Sequence, residues 1–433
     1  MGRDTGDSTH VKFVSNQPAA ACVAFVLILL LTGCASVDQN SAAAPSRAPV
    51  LLISLDGFRW DYIAQHPEAT PNLRQLMQDG VSARGLIPVF PSQTFTNHYS
   101  IATGLYPAHH GIISNIFFDP ELGEYFRYKT PSATRDARWW GGEPIWITAV
   151  KQGRKSACYF WPGSEVVFAG IRATIAMPFD YSVPFADRLD RLFSWFARPA
   201  NDRPAIALFY FEETNKAGHY FGPNSAELVS TVKMLDEQIG AIVRRSQAEQ
   251  IPLNFVIVSD HGFIATDGAT MTAMIDDYVD FTRVQVDFDG PTCGLRPLDG
   301  DTDALLKRLQ ALPPQYKVYQ SKDLPARWQM RDNQRIPPVW IVPEAGWRIQ
   351  RRSTYLAVKD FNLKGDHGFD PQVQAMHGIF IASGPAFQTG RVIDAIENVH
   401  IYNLLCATLE ISAAPNDGDD RLVRSVLKNG YVR

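Results

Sequence analysis

The chain has 433 residues, 45% hydrophobic and 20% charged, a globular composition rather than a disordered or fibrous one. Its 41 Lys and Arg against 45 Asp and Glu give a net charge of −4, with no basic surplus to hold a nucleic-acid polymer. The mean hydropathy of −0.13 is too polar for a protein of many membrane spans, and the length suggests about three domains, or one large α/β domain with insertions.

In chain order, the first feature is an apolar run at residues 19–31 preceded by Arg3 and Lys12. It is short for a membrane span and suits a signal-peptide core. It ends in Leu31-Thr32-Gly33-Cys34, similar to a bacterial lipobox, in which the cysteine is lipidated and becomes the new N-terminus. Ala35 follows, not the aspartate that retains such proteins at the inner membrane. The expectation is a lipoprotein of the bacterial cell envelope, on the outer membrane facing the periplasm, touching the membrane through its lipid alone. The expected organisation is a signal over residues 1–33, a flexible tether over 34–47 and a catalytic domain over 48–433. Of five cysteines, Cys158, Cys293 and Cys406 remain beyond the leader; they allow at most one disulfide and lack zinc-finger spacing.

Residues 48–55, 205–211 and 254–259 are continuous apolar runs of strand length. Continuous rather than alternating hydrophobicity implies two covered faces, as in a parallel sheet between helix layers. Helices are expected between them, at 71–79 with Pro71 at the start and Gly80 beyond the end, and at 227–245 with Leu228, Val232, Leu235, Ile239 and Ile242 on one stripe. Another is expected at 399–409. The fold class is α/β: a mostly parallel central sheet with helices on both faces. Residues 270–350, with short β-rich pieces, many prolines and one helix at 303–312, read as a small α+β insertion.

In open α/β sheets, chemistry gathers beyond the carboxyl ends of the strands. The first strand leads to Asp56, the second to Glu212 and Glu213 with Asn215 and His219 following, and the third to Asp260 and His261. Gly365-Asp366-His367-Gly368 repeats the Asp-His-Gly theme. Each alone is ordinary, since an Asp-Gly is commonly a turn. Together, three histidines and several carboxylates supply the ligands that a pair of divalent metals needs, and two ions about 4 Å apart suit in-line displacement at phosphorus. The candidate nucleophile is Thr94, where an apolar helix begins and backbone N–H groups favour an alkoxide. On propensity alone, a plain N-cap threonine is the better reading. No G-x-S-x-G elbow, phosphate-binding G-x-x-x-x-G-K-[ST] loop or G-x-G-x-x-G fingerprint is present. Arg348, Arg351 and Arg352 read as a solvated edge rather than an anion site.

The motifs Leu55-Asp56-Gly57-Phe58-Arg59, Thr94-Phe95-x-Asn97-His98, Thr103-Gly104-Leu105-Tyr106-Pro107, Trp161-Pro162-Gly163, Val183-Pro184-Phe185, Gly218-His219, Ser259-Asp260-His261-Gly262 and Gly365-Asp366-His367-Gly368-Phe369 occur in one order over residues 48–420. In these the chain resembles the nucleotide pyrophosphatase/phosphodiesterase family of the alkaline phosphatase superfamily. The resemblance implies an alkaline phosphatase-like sandwich and a Thr94 nucleophile that passes through a phospho-threonine intermediate. It implies two Zn2+ ions, one held by Asp56, Thr94, Asp260 and His261, the other by position 215 with His219 and His367. By the same resemblance Asn115 would hydrogen-bond the phosphate, while Phe95 and Phe179 would sandwich a nucleotide base.

Thr96 and Phe263 stand where Pro and Met are common in the family. The larger departure is Asn215, at a position where the family has a metal-binding Asp. The second site thereby loses one negative charge, and three outcomes stay open: a weaker working site, recruitment of Glu212 or Glu213, or a catalytically impaired, lipid-anchored binding protein. The expected substrate is a small phosphodiester or nucleotide, with a glycerophospho- or choline-type head group as the alternative. Nothing in the sequence sets the oligomeric state.

Overall fold

The computed structural model describes residues 47–357 and 363–431. The expected signal, and the tether up to residue 46, lie outside them. No described helix is long and apolar enough to cross a membrane.

The central sheet has eight strands: β1 (Val50–Leu55), β2 (Gly80–Ala83), β3 (Ser156–Tyr159), β4 (Ile175–Met177), β5 (Ile206–Phe211), β6 (Asn254–Val258), β7 (Phe380–Ser383) and β8 (Arg391–Ile393). Their order is β8-β2-β7-β6-β1-β5-β3-β4. Only β7 runs against its neighbours, antiparallel to β6 and β2; the other pairings are parallel. The expected α/β fold is therefore present, with a mixed rather than wholly parallel sheet.

The three apolar runs occupy the middle of this sheet as β1, β5 and β6. Along β1, Val50 and Leu52 enter one core with Tyr99, Ile101, Leu404 and Leu405. Leu51, Ile53 and Leu55 enter the opposite core with Leu228, Val232, Leu235 and Ile239. Alternate side chains thus find apolar cover on both sides, each full burial contributing roughly 1.5–3 kcal/mol. That is why the runs carry no polar alternation.

The expected helices form at Pro71–Gln78, Ala226–Ala248 and Ile401–Leu409. Gly80, expected just outside the first helix, already belongs to β2. That helix is capped from a distance. Thr70 makes no side-chain cap; instead the buried Asp236 of Ala226–Ala248 accepts from Asn72 N–H at 3.1 Å, Leu73 N–H at 2.7 Å and the Asn72 amide at 2.7 Å.

Within the stretch read as an insertion, Val284–Phe288, Cys293–Pro297, Val339–Pro343 and Tyr316–Gln320 pair in that spatial order as an antiparallel sheet. The helix Thr302–Leu309 contributes Leu305 and Leu309 to its separate core. The stretch is docked on the main body by Trp328, which stacks on Phe90 with ring centroids 3.9 Å apart. Cys158, Cys293 and Cys406 are buried and free, so the one disulfide that the sequence allowed among them is not formed.

Candidate active site

β1 leads into Asp56, β6 leads into Asp260 and His261, and the helix Thr94–Thr103 starts at Thr94. Asp56, Asp260 and His261 are buried, with ligand atoms within 4.8 Å of one another. His261 Nε2 lies 3.4 Å from Asp56 Oδ1, 3.1 Å from Asp260 Oδ2 and 3.4 Å from Thr94 Oγ1. Gly57 makes this crowding possible. Its φ of +71° directs the N–H to Asp260 Oδ1 at 3.1 Å, and a Cβ there would meet the Phe263 ring at 2.5 Å.

Thr94 is not the helix cap. Gln93 occupies that position and makes no side-chain cap. The Gln93 side-chain oxygen instead accepts from Ser114 Oγ at 2.9 Å and Asn115 N–H at 2.8 Å, tying that loop to the helix start. Asn115 Oδ1 then accepts from Phe95 N–H at 2.9 Å, which leaves the amide NH2 as the group able to donate.

His219, Asp366 and His367 form a second ligand-bearing group. A short ladder between Ile264–Ala265 and Gly365–Asp366 holds this segment beside the end of β6. Asn215 and His219 lie four residues apart in the helix Glu213–Phe221 and so share a face. Both line one cavity of about 810 Å³ together with Asp56, Thr94, Asn115, Phe95, Phe179, Asp366 and His367. Glu213 is engaged elsewhere, paired with Arg188 at 3.3 Å and absent from that lining, whereas Glu212 lies in it.

The donors fit divalent cations. Each histidine of the two groups places Nδ1 against a backbone carbonyl: His261 on Gly262 at 2.9 Å, His219 on Gly365 at 3.0 Å, His367 on Ser92 at 2.9 Å. A carbonyl only accepts, so Nδ1 carries the proton and Nε2 keeps its lone pair. Burial lowers all three histidines, His219 to about 3, keeping the imidazoles in the neutral, ligating form. Asp56 is raised by burial and by Asp260. Asp56 Oδ1, Asp260 Oδ2 and Asn215 Oδ1 are buried without a hydrogen-bond partner among the described residues. Unpaired oxygens in so dry a place cost several kcal/mol unless a cation answers them.

Supporting groups escaped the sequence reading. Tyr210, next to last in β5, donates to Asp56 Oδ2 at 2.6 Å. His98 lies 2.8 Å from Thr94 O, 2.8 Å from Ser54 Oγ and 3.3 Å from Asp260 Oδ2. Its i+4 spacing from Thr94 was the available signal. The expected solvated arginine edge is also corrected: only Arg352 is open, at 51%, while the Arg348 side chain is 12% exposed and lines the cavity beside Asp366.

Phe95 and Phe179 both line this cavity. Phe95 rests against Phe126, Tyr128 and Trp140; Phe179 contacts Phe160, Tyr181 and Tyr210 and is half exposed.

The sequence profile of type I phosphodiesterase/nucleotide pyrophosphatase matches residues 50–370. A venom phosphodiesterase of Crotalus durissus collilineatus is 36% identical over 412 residues, covering 92% of this chain and 49% of that protein. This chain thus spans about half the length of the venom enzymes it matches. Human ectonucleotide pyrophosphatase/phosphodiesterase family member 5 is 32% identical, covering 94% of this chain and 84% of its own length. The solved structure of an inactive variant of murine family member 5 in complex with AMP superimposes with a TM-score of 0.82 at 31% identity, over 88% of this chain and 100% of that one. These relatives, with another in Schizosaccharomyces pombe, are eukaryotic. They overturn the expected bacterial outer-membrane lipoprotein, which rested on a leader outside the described residues. The matched profile, the relatives and the shared fold establish that the chain belongs to the type I phosphodiesterase/nucleotide pyrophosphatase family.

Proposed function

We propose that the chain is a metal-dependent hydrolase of phosphodiester or pyrophosphate bonds in nucleotides, with residues 48–433 as its catalytic domain and Thr94 as nucleophile. The observation that carries this is Thr94 Oγ1, 3.4 Å from His261 Nε2 beside two carboxylates, on the wall of a cavity that Phe95 and Phe179 also line. Two Zn2+ ions are the proposed cofactors, one at Asp56, Thr94, Asp260 and His261, the other at Asn215, His219 and His367. When bound they would supply the positive charge that lowers the threonine pKa and offsets charge on phosphorus.

The chain's own residues do the rest. Thr94 Oγ forms a bond to phosphorus as the bond to the leaving oxygen breaks, giving a phospho-threonine that still carries the nucleoside as its ester and that water then hydrolyses to the nucleoside monophosphate. The Asn115 NH2, aligned by the bond of its oxygen to Phe95 N–H, donates to a non-bridging oxygen. Phe95 and Phe179 offer faces for a base. A choline-type head group would need an unpaired anionic cage, and two carboxylates of the wall are already taken: Glu165 by Arg135 at 2.7 Å and Asp289 by Arg351 at 3.0 Å.

The test is hydrolysis of a nitrophenyl nucleotide ester with and without EDTA and in Thr94→Ala, with mass spectrometry of the trapped intermediate. Loss of turnover in both arms, with a nucleoside monophosphate esterified to Thr94 in the untreated enzyme, is the expected result. Full activity of Thr94→Ala would overturn the assignment.

A further inference from the structure

Arg348 is the one arginine of the presumed edge that is buried in the cavity wall against the second ligand-bearing group. It arrives on the strand Arg348–Gln350, which pairs with Thr272–Met274 and belongs to the stretch read as an insertion. Its guanidinium meets Asp366. Asp289, the other carboxylate near it, is already bound by Arg351 Nε at 3.0 Å, Arg351 N–H at 2.8 Å and Thr354 Oγ1 at 3.2 Å. Asp366 in turn accepts from His367 N–H at 2.9 Å through its other oxygen. Among the described residues, Arg348 therefore has five donors and a single carboxylate edge to spend them on.

The direction of the reaction gives this position a meaning. Thr94 stands with Asp56, Asp260 and His261. In-line displacement sends the leaving oxygen away from the nucleophile, toward the side of His219, His367 and Asp366. Asn215 is neutral, and Arg348 places a cation beside Asp366 on that side.

We propose that Arg348 is a specificity-determining residue that binds the phosphate of the leaving group, so that the enzyme prefers pyrophosphate-linked nucleotides over diesters whose leaving group carries no phosphate. This rests on the function proposed above. As the bond between phosphorus and the bridging oxygen breaks, its electron pair stays on the departing phosphate or pyrophosphate, and the guanidinium stabilises that growing charge through paired N–H bonds. Asp366 is the positioning residue that holds the guanidinium against the wall.

The experiment compares ATP with a nitrophenyl ester of thymidine monophosphate in wild type, Arg348→Gln and Arg348→Lys, with zinc content and melting temperature as folding controls. Arg348→Gln should lower kcat/KM for ATP roughly 10- to 100-fold and for the aryl ester less than about threefold, with Arg348→Lys between wild type and Gln on ATP. Equal losses on both substrates, or no loss on ATP, overturn the proposal. A second arm titrates inorganic pyrophosphate into Thr94→Ala and Thr94→Ala/Arg348→Gln by calorimetry, and weaker binding in the double variant is the expected result. If wild type cleaves neither substrate, the function proposed above fails, and the pyrophosphate titration alone decides on Arg348, equal affinities sinking it.

Discussion

The rings of His261 and His367 stack face to face, with centroids 3.6 Å apart and planes 13° from parallel. His261 follows the central strand β6 and His367 lies 106 residues later, beyond the second sheet, yet their contact joins the two ligand-bearing groups into one centre. Phe263 packs edge-on against His219 and at a tilt near His261 and His367, filling the space behind all three rings.

Stripping the metals should therefore destabilise the protein as well as silence it. Without cations, Asp56 and Asp260 face each other in a dry site. Ligand binding at about 1,000 times Kd is worth roughly 4 kcal/mol. EDTA treatment is expected to lower the melting temperature by several degrees, reversibly on adding zinc; an unchanged melting curve would show that the groups hold no structural charge deficit.

Tyr210→Phe removes the 2.6 Å bond to Asp56 and nothing larger than an oxygen. Burial and Asp56 both raise this phenol, so it stays a donor across the working pH range. Losing such an orienting partner typically costs roughly 10- to 100-fold in metal affinity. A chelator-competition titration checks it.

Asn215→Asp should tighten metal at the second group, because a carboxylate replaces an amide oxygen that has no hydrogen bond to lose. Metal content after dialysis is expected to rise with it. Unchanged content and unchanged rate together would mean that the amide already ligates adequately.

Asn115→Ala deletes the donor proposed above to meet developing charge, and a loss of about 10²–10³ in kcat is expected, as for other single oxyanion donors. Steady-state kinetics should show KM moving far less than kcat. A melting temperature near wild type separates this from unfolding.

Asp236→Ala tests the fold without touching the site. It strands two backbone N–H groups at the start of Pro71–Gln78 and one amide. A destabilisation of about 2–4 kcal/mol in urea unfolding is expected, with metal content unaltered.

Much of this architecture is legible in the chain. Unbroken apolar runs mark β1, β5 and β6, because a strand covered on both faces has no position for a polar side chain. Asp56, Asp260 and His261 stand out because they follow such runs directly, His219 because it lies a short way beyond one, and His367 because its segment repeats the Asp-His-Gly theme. Arg348 was misread for the converse reason: three arginines in five residues give a local charge density, which carries no information about burial. Tyr210 was hidden by its own hydrophobicity in Ile206–Phe211, and Gln93 by a threonine next door that is the commoner cap. The misplaced cellular address came from a short leader pattern that many unrelated chains can satisfy.

By itself, the sequence determined the α/β class, the three central strands and the residue types able to hold metal, since these follow from local hydrophobicity and from side-chain chemistry. Which groups act together was decided only in three dimensions. Thr94 meets His261 across 167 positions, Asp236 caps a helix 163 positions away, and Arg348 turns inward to Asp366. Such pairings depend on how the sheet order brings distant strand ends side by side, and on burial, which turns a carboxylate, an imidazole or a guanidinium from a solvated charge into a group that must find its counterpart.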